Sequence, residues 1–245
     1  MVITSDMKMA DVVMLDIQLL AVIQRLEIPL GFREKTVAEV CGDHDVDVNF
    51  FIQLANTFRD KDYSHPESFM AFSATSMVKY LRTSHRCYVD HRVPAIEEMI
   101  IDLENDLGKD SNAELLLNFF REYVREFHAH LELEEKVVFP YVLMLKSCID
   151  EGKILSEFNE RFNNYYIDKY LEDHNDIEEK LFDLKNILLK YMPPPTNSCK
   201  YNNLIFELFR LEDDLKDHSN LEDKVFIPRV KSMEKELKKI IKAGK

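Results

Sequence analysis

An eleven-residue segment occurs twice in this chain. Residues 130–140 read HLELEEKVVFP and residues 218–228 read HSNLEDKVFIP, with six of the eleven positions identical. The offset is 88, and His85 and His174 form a second pair 89 residues apart. The stretch 85–140 therefore reads as a helical hairpin that recurs at 174–228, a supersecondary unit that buries its apolar face against its repeat.

The rest of the pattern is helical as well. Five glycines and eight prolines in 245 residues are too few turns for a many-stranded barrel or sandwich. Apolar residues recur at helical spacing over 7–26, 35–41 and 47–58, before a polar, proline-containing stretch at 59–68. We read residues 1–62 as a small helical N-terminal domain and 67–245 as an up-down-up-down four-helix bundle, so the chain is all-α. Breaks at Gly108–Ser111, Asp150–Gly152 and Met192–Ser198 place the long helices at about 67–107, 111–149, 153–191 and 199–240. Pro94, Pro140 and Pro228 fall inside three of them and are expected to kink or split them.

Composition removes several function classes. The net charge of −13 leaves no basic footprint for nucleic acid. No apolar run reaches the roughly 20 residues of a membrane span, and the N-terminus lacks the basic-then-apolar plan of a signal peptide. Cys41, Cys87, Cys148 and Cys199 are scattered without a CxxC, which fits a reducing cytoplasm and argues against a disulfide framework or a cysteine zinc site. No GxGxxG, Walker GK[ST], HExxH, GxSxG or ferritin-like ExxH occurs.

Histidines carry the chemistry. His85, His130, His174 and His218 are separated by 45, 44 and 44 residues, and the three midpoints fall on the three helix breaks. If each break is a reversal, all four imidazoles lie at one level, about 22 residues or 33 Å from each turn. They also lie on inward seams. The last helix runs Leu204, Leu208, Leu211, Leu215, His218, Glu222, Val225, and the third runs Ile167, Tyr170, His174, Ile177, Leu181. The second runs Phe120, Val124, Phe127, then His130 and Glu134, and the first runs Val78, Leu81, His85, Tyr88. Tyr88 and Tyr141 on these seams read as core packing.

Buried imidazoles and carboxylates are costly unless they are paired or bound to a cation. His130 with Glu134 and His218 with Glu222 stand at i, i+4, one turn apart on one face. Four imidazoles and two carboxylates exceed the needs of one ion. They suit two ions bridged by two carboxylates, with positions left open for a small ligand. Mixed imidazole and carboxylate ligation suits iron, and manganese uses the same donor types. The plainer alternative is a metal-free bundle whose buried histidines hydrogen-bond to the glutamates. Glu178, four residues after His174, lies off the seam and reads as solvated. His44, His65, His91 and His128 lie in loops or off the inward faces.

The pattern His85, His130-x3-Glu134 followed by FP, His174, and His218-x3-Glu222 followed by IP resembles the hemerythrin-like (HHE cation-binding) family. Its spacing is most similar to the iron-sulfur cluster repair di-iron proteins of that family. The resemblance implies His85, His130, His174 and His218 as terminal iron ligands, Glu134 and Glu222 as bridges, and two carboxylate-bridged, oxo-bridged iron ions. Two departures accompany it. Family members often carry a His-His pair where this chain has Ser84-His85. The N-terminal Cys-Cys pair of the repair proteins is replaced by Gly31-Phe32, leaving only the later Cys41.

The function implied is a cytoplasmic non-haem di-iron protein of the oxidative and nitrosative stress response. Its roles would be iron-sulfur cluster repair or iron donation, with nitric oxide reduction at the two ferrous ions. NO, O2 or peroxide would be its small ligands and iron-sulfur proteins its partners. The alternative is a module that binds or senses O2 or iron reversibly without turnover.

Overall fold

The computed structural model describes residues 2–59, 72–107, 113–172, 177–193 and 197–243. Among them the chain is helical, with one isolated antiparallel bridge between Lys8 and Thr36 and no strand. The expected breaks at 108–111 and within 192–198 lie largely outside the described residues, as do most of the stretch at 59–68, His65 and His174. Two compact units form: residues 1–84 with 223–229, and residues 85–222 with 230–245.

The first unit begins with α1 (Met9–Leu15) and α2 (Leu19–Arg25). The sequence pattern predicted one helix here. Asp16 divides it: its carboxylate accepts from the Gln18 N–H at 2.9 Å, a local side-chain bond that competes with the helix. Helix α3 (Val37–Asp43) starts on a reciprocal capping box between Thr36 and Glu39. Helix α4 (Val48–Arg59) is tied to the N-terminal strand-like segment through Asn56, whose amide both donates to and accepts from the Ile3 backbone. Met9, Val12, Val22, Phe51 and Leu54 are fully buried. Gly31 takes φ +102 with open space where a Cβ would stand. Cys41 is buried, and its thiol is pushed up to about 11 by burial and by Asp47. It is neutral and unreactive at physiological pH.

Helix α5 (Ala74–Cys87) leads into a ring of four helices in the second unit. These are α6 (Val93–Leu107), α7 (Ala113–Leu133), α11 (Ile177–Tyr191) and α12 (Ser198–Leu221). α6 packs on α7, α7 on α11, α11 on α12, and α12 back on α6. Side-chain pairs give their directions. Lys200 meets Asp102 and Asp106 while Arg92 meets Asp214, so α6 and α12 run antiparallel. Arg121 meets Glu97 and Phe127 meets Tyr88, so α6 and α7 do too. Ile100, Phe120, Leu181, Leu184, Leu208 and Leu211 fill the axis with no more than 1% exposure. These are the seam positions set by the 3-4 periodicity.

The remaining helices are α8 (Phe139–Asp150), α9 (Ser156–Phe162), α10 (Asp168–Glu172) and α13 (Ile227–Ala243). The third long helix expected at 153–191 is interrupted. The chain leaves the helix at Asn163-Asn164, and the Ile167 N–H is taken by the Glu234 carboxylate at 2.8 Å.

The three helix-interior prolines act differently from a simple break. Each follows a five-residue π-helical turn: Tyr88–Arg92 (π1), Glu134–Val138 (π2) and Glu222–Phe226 (π3). α-Helix resumes at Val93, Phe139 and Ile227, with Pro94, Pro140 and Pro228 second in line. A proline ring collides with the carbonyl four residues back and offers no N–H. One extra residue in the turn moves the bonding to i−5, as in the Val93 N–H to Tyr88 O and Phe139 N–H to Glu134 O bonds.

Candidate metal centre

Two of these π turns open on the candidate ligands. Glu134 is the first residue of π2 and Glu222 the first of π3, 88 residues apart like the sequence repeat. His130 and His218 precede them by one turn at the ends of α7 and α12, and His85 lies near the end of α5. π Turns recur at functional sites because the added residue re-aims the side chains around it.

His85, Glu134, His218 and Glu222 converge. One ligand atom from each lies within 4.8 Å of all the others, and all four residues are buried. Nε2 of His85 is 3.3 Å from Nε2 of His218 and 3.1 Å from Glu134 Oε2. His218 Nε2 is 3.3 Å from Glu222 Oε1. His130 Nε2 is 3.2 Å from the other oxygen of Glu134, Oε1. The two oxygens of Glu134 therefore face two different imidazoles. His174 lies outside the described residues, so five of the six candidate ligands are placed and all five meet at this level.

Further residues hold these ligands in place. Glu135 Oε1 lies 3.0 Å from His85 Nδ1, which directs Nε2 toward the centre. Tyr170 on α10 donates its hydroxyl to Glu134 Oε1. Phe139 stacks on His85 with centroids 5.3 Å apart, and Tyr88 presents its ring edge-on to His218 at 5.7 Å. The sequence pattern did not single out Glu135, and read Tyr170 only as a seam residue. Tyr141, read as packing, also has a polar partner, donating to Glu234 at 2.6 Å. His44, His91 and His128 are exposed, as their places in loops and off the seams predict.

Electrostatics follow from this crowding. Burial alone would lower the pKa of His85, but its hydrogen bonds to Glu134 and Glu135 outweigh burial and raise it to about 9. His130 is raised too, the Glu134 carboxylate prevailing over burial. Burial would raise Glu134, yet His130 and His85 hold it well below the usual carboxylate range. A metal-free centre thus keeps its charge balance by holding protons on imidazoles between carboxylates.

Those protons occupy the position of a cation. Two imidazole Nε2 atoms 3.3 Å apart, each also within 3.3 Å of a carboxylate oxygen, reach charge balance through protons donated to the carboxylates or through a positive ion among the four groups. Two nitrogens bound at a right angle to one ion, at roughly 2.1 Å each, lie about 3 Å apart. Buried imidazole and carboxylate donors in this arrangement fit a first-row divalent metal. Comparison with known protein families matches residues 76–230 to the hemerythrin HHE cation binding domain. The chain belongs to the hemerythrin HHE cation-binding family. Its matched region includes all six candidate ligands, and the chain is a metal-binding helical protein whose family typically holds iron. No curated protein matches the chain. Among the described residues no helix is long and apolar enough to cross a membrane.

Proposed function

We propose that this hemerythrin-family protein is a non-haem di-iron protein of the oxidative and nitrosative stress response. It works in a reducing cytoplasm, reduces nitric oxide and donates iron to, or supports repair of, iron-sulfur clusters. The observation that carries the two-ion reading is the Glu134 carboxylate. Its Oε2 lies 3.1 Å from His85 Nε2 and its Oε1 3.2 Å from His130 Nε2, so its two oxygens serve two different imidazoles, as a bridging carboxylate would. His85, His130, His174 and His218 would be terminal ligands and Glu134 and Glu222 bridges. A pair of ferrous ions held there would supply the two electrons that, with two protons, the coupling of two NO molecules to N2O and water requires.

The chain's own groups set the conditions for that chemistry. The buried ring of Phe139 and the edge of Tyr88 limit water at the imidazoles. Glu135 holds the His85 ring so that its Nε2 faces the centre. The Tyr170 hydroxyl holds the Glu134 carboxylate by a charge-assisted hydrogen bond. The neutral, buried Cys41 and the Gly31-Phe32 sequence offer no N-terminal dithiol, so the helical bundle carries the redox chemistry.

Anaerobic addition of NO to the diferrous protein tests this. The reading predicts an iron-nitrosyl spectrum followed by N2O. No nitrosyl signal and no N2O would remove NO reduction. A stable, reversibly coloured oxygenated form on O2 addition would assign the protein to reversible binding instead, whereas rapid oxidation agrees with redox work.

A further inference from the structure

A second polar site lies in the bundle unit, in a cavity of about 510 Å³ beside the break in the third long helix. Its walls are aromatic: Tyr141 and Tyr165 stand edge-to-face at 4.8 Å, and Phe162 meets Tyr141 edge-to-face at 5.3 Å. Into this apolar wall is set one carboxylate, that of Glu234. Its Oε1 accepts both the Tyr141 hydroxyl at 2.6 Å and the Ile167 N–H at 2.8 Å. Burial, and then the Glu234 carboxylate itself, push the Tyr141 phenol upward, so Tyr141 remains the donor. Two donors fix the orientation of the carboxylate, and both bonds fall on one oxygen. Oε2 is left as an acceptor for a ligand.

A cation fills such a site in part. The faces of aromatic rings attract ammonium groups, and a fixed carboxylate accepts their N–H bonds. Two lysines also line the same cavity, however: Lys238 and Lys169. Lys238 follows Glu234 by four residues on α13, so the two heads rise from one helix face one turn apart. Glu234 spends its hydrogen bonds on Tyr141 and Ile167 rather than on Lys238. Lys169 sits 5.4 Å from the Tyr166 ring and donates to the Asn164 carbonyl. A simple cation would meet this positive rim, and a simple anion would meet the inner carboxylate. A molecule carrying both charged groups on one carbon, with an apolar body, complements all three features.

We propose that this cavity binds a free α-amino acid with a large apolar or aromatic side chain. Its ammonium would bind Glu234 Oε2, its carboxylate would bind Lys238, and its side chain would lie against Tyr141, Phe162 and Tyr165. The volume lies within the usual range of small-molecule sites. The site is independent of the metal ligands, and its occupancy is read without reference to iron.

Calorimetric titration of the full chain with three probes of one ring and chain length tests it. L-Phenylalanine should bind. Phenethylamine, which lacks the carboxylate, and 3-phenylpropionate, which lacks the ammonium, should each bind at least about tenfold more weakly. Lys238→Met, an exposed change that keeps the alkyl stem, should lower L-phenylalanine affinity about tenfold and leave phenethylamine unchanged. Glu234→Gln should weaken L-phenylalanine and phenethylamine together. The proposal is overturned if L-phenylalanine gives no saturable heat at millimolar concentration. It is overturned equally if either single-charge probe matches L-phenylalanine, which would make the cavity a site for organic cations or for anionic amphiphiles.

Discussion

Replacing Glu135 by alanine leaves every proposed iron ligand in place and removes only the group that aims one of them. Glu135 Oε1 is 3.0 Å from Nδ1 of His85, whose Nε2 enters the centre. His85 is 4% exposed and Glu135 35%, so one end of this contact is dry and the other reaches solvent. Outer carboxylates on metal-bound histidines contribute about 10- to 100-fold to metal affinity. The half-open position of Glu135 places it toward the lower figure, a loss of roughly tenfold, or about 1.4 kcal/mol. Glu135→Gln keeps an acceptor oxygen and should lose less. Anaerobic competition between the protein and a ferrous chelator measures this, with helicity followed to show that the fold persists. Iron affinity unchanged in Glu135→Ala would refute the claim that this carboxylate positions His85.

Two further outcomes follow from the same physical picture. Lys185 and Glu212, each 5% exposed, form an ion pair between α11 and α12, with Lys185 also 4.0 Å above the Phe209 ring. Glu212→Leu leaves a buried ammonium and should cost about 3–5 kcal/mol in a urea titration. The double change Lys185→Met with Glu212→Leu should recover most of that loss; a neutral single change would contradict the pairing. In the metal-free protein, His85 titrates near 9 when folded against 6.5 when unfolded. Its stabilisation is therefore complete below about pH 6.5 and is lost as the pH rises through about 9. The lowered Glu134 works at the other end: its stabilisation is present above 4.5 and lost as the pH falls through its folded value. Urea midpoints of the metal-free chain should fall between about pH 6.5 and pH 9, and a flat or rising profile would show that His85 is not held protonated by Glu134 and Glu135.

The bundle was legible in the sequence because its candidate ligands occupy positions that the apolar periodicity reserves for core residues. His218 and Glu222 continue the line of Leu204, Leu208, Leu211 and Leu215, and the structure buries all of them. Equal spacing of the histidines about the helix breaks gave their common level, visible now in His85, His130 and His218. Other features depend on partners distant in the chain. Glu135 has the same local setting as the exposed Glu132, and only His85, 50 residues earlier, distinguishes it. Tyr170 fits the seam as an apolar ring, while its hydroxyl meets Glu134 36 residues away. The break before α10 was hidden because Phe158, Phe162, Tyr166 and Tyr170 recur every four residues, a helical rhythm that runs through Asn163-Asn164. The Glu234 carboxylate that satisfies Ile167 comes from another helix. The prolines marked irregular backbone correctly, but the chain accommodates them by π turns, two of which begin at Glu134 and Glu222.

The most direct measurement is metal content per chain of anaerobically purified protein, paired with its ultraviolet-visible spectrum in the wild type and in Glu134→Ala. Two irons per chain with oxo-bridge bands, and loss of those bands together with at least one iron in Glu134→Ala, is the result predicted by a carboxylate shared between His85 and His130. One iron per chain, or two irons that survive Glu134→Ala with an unchanged spectrum, would contradict the bridge and with it the di-iron account.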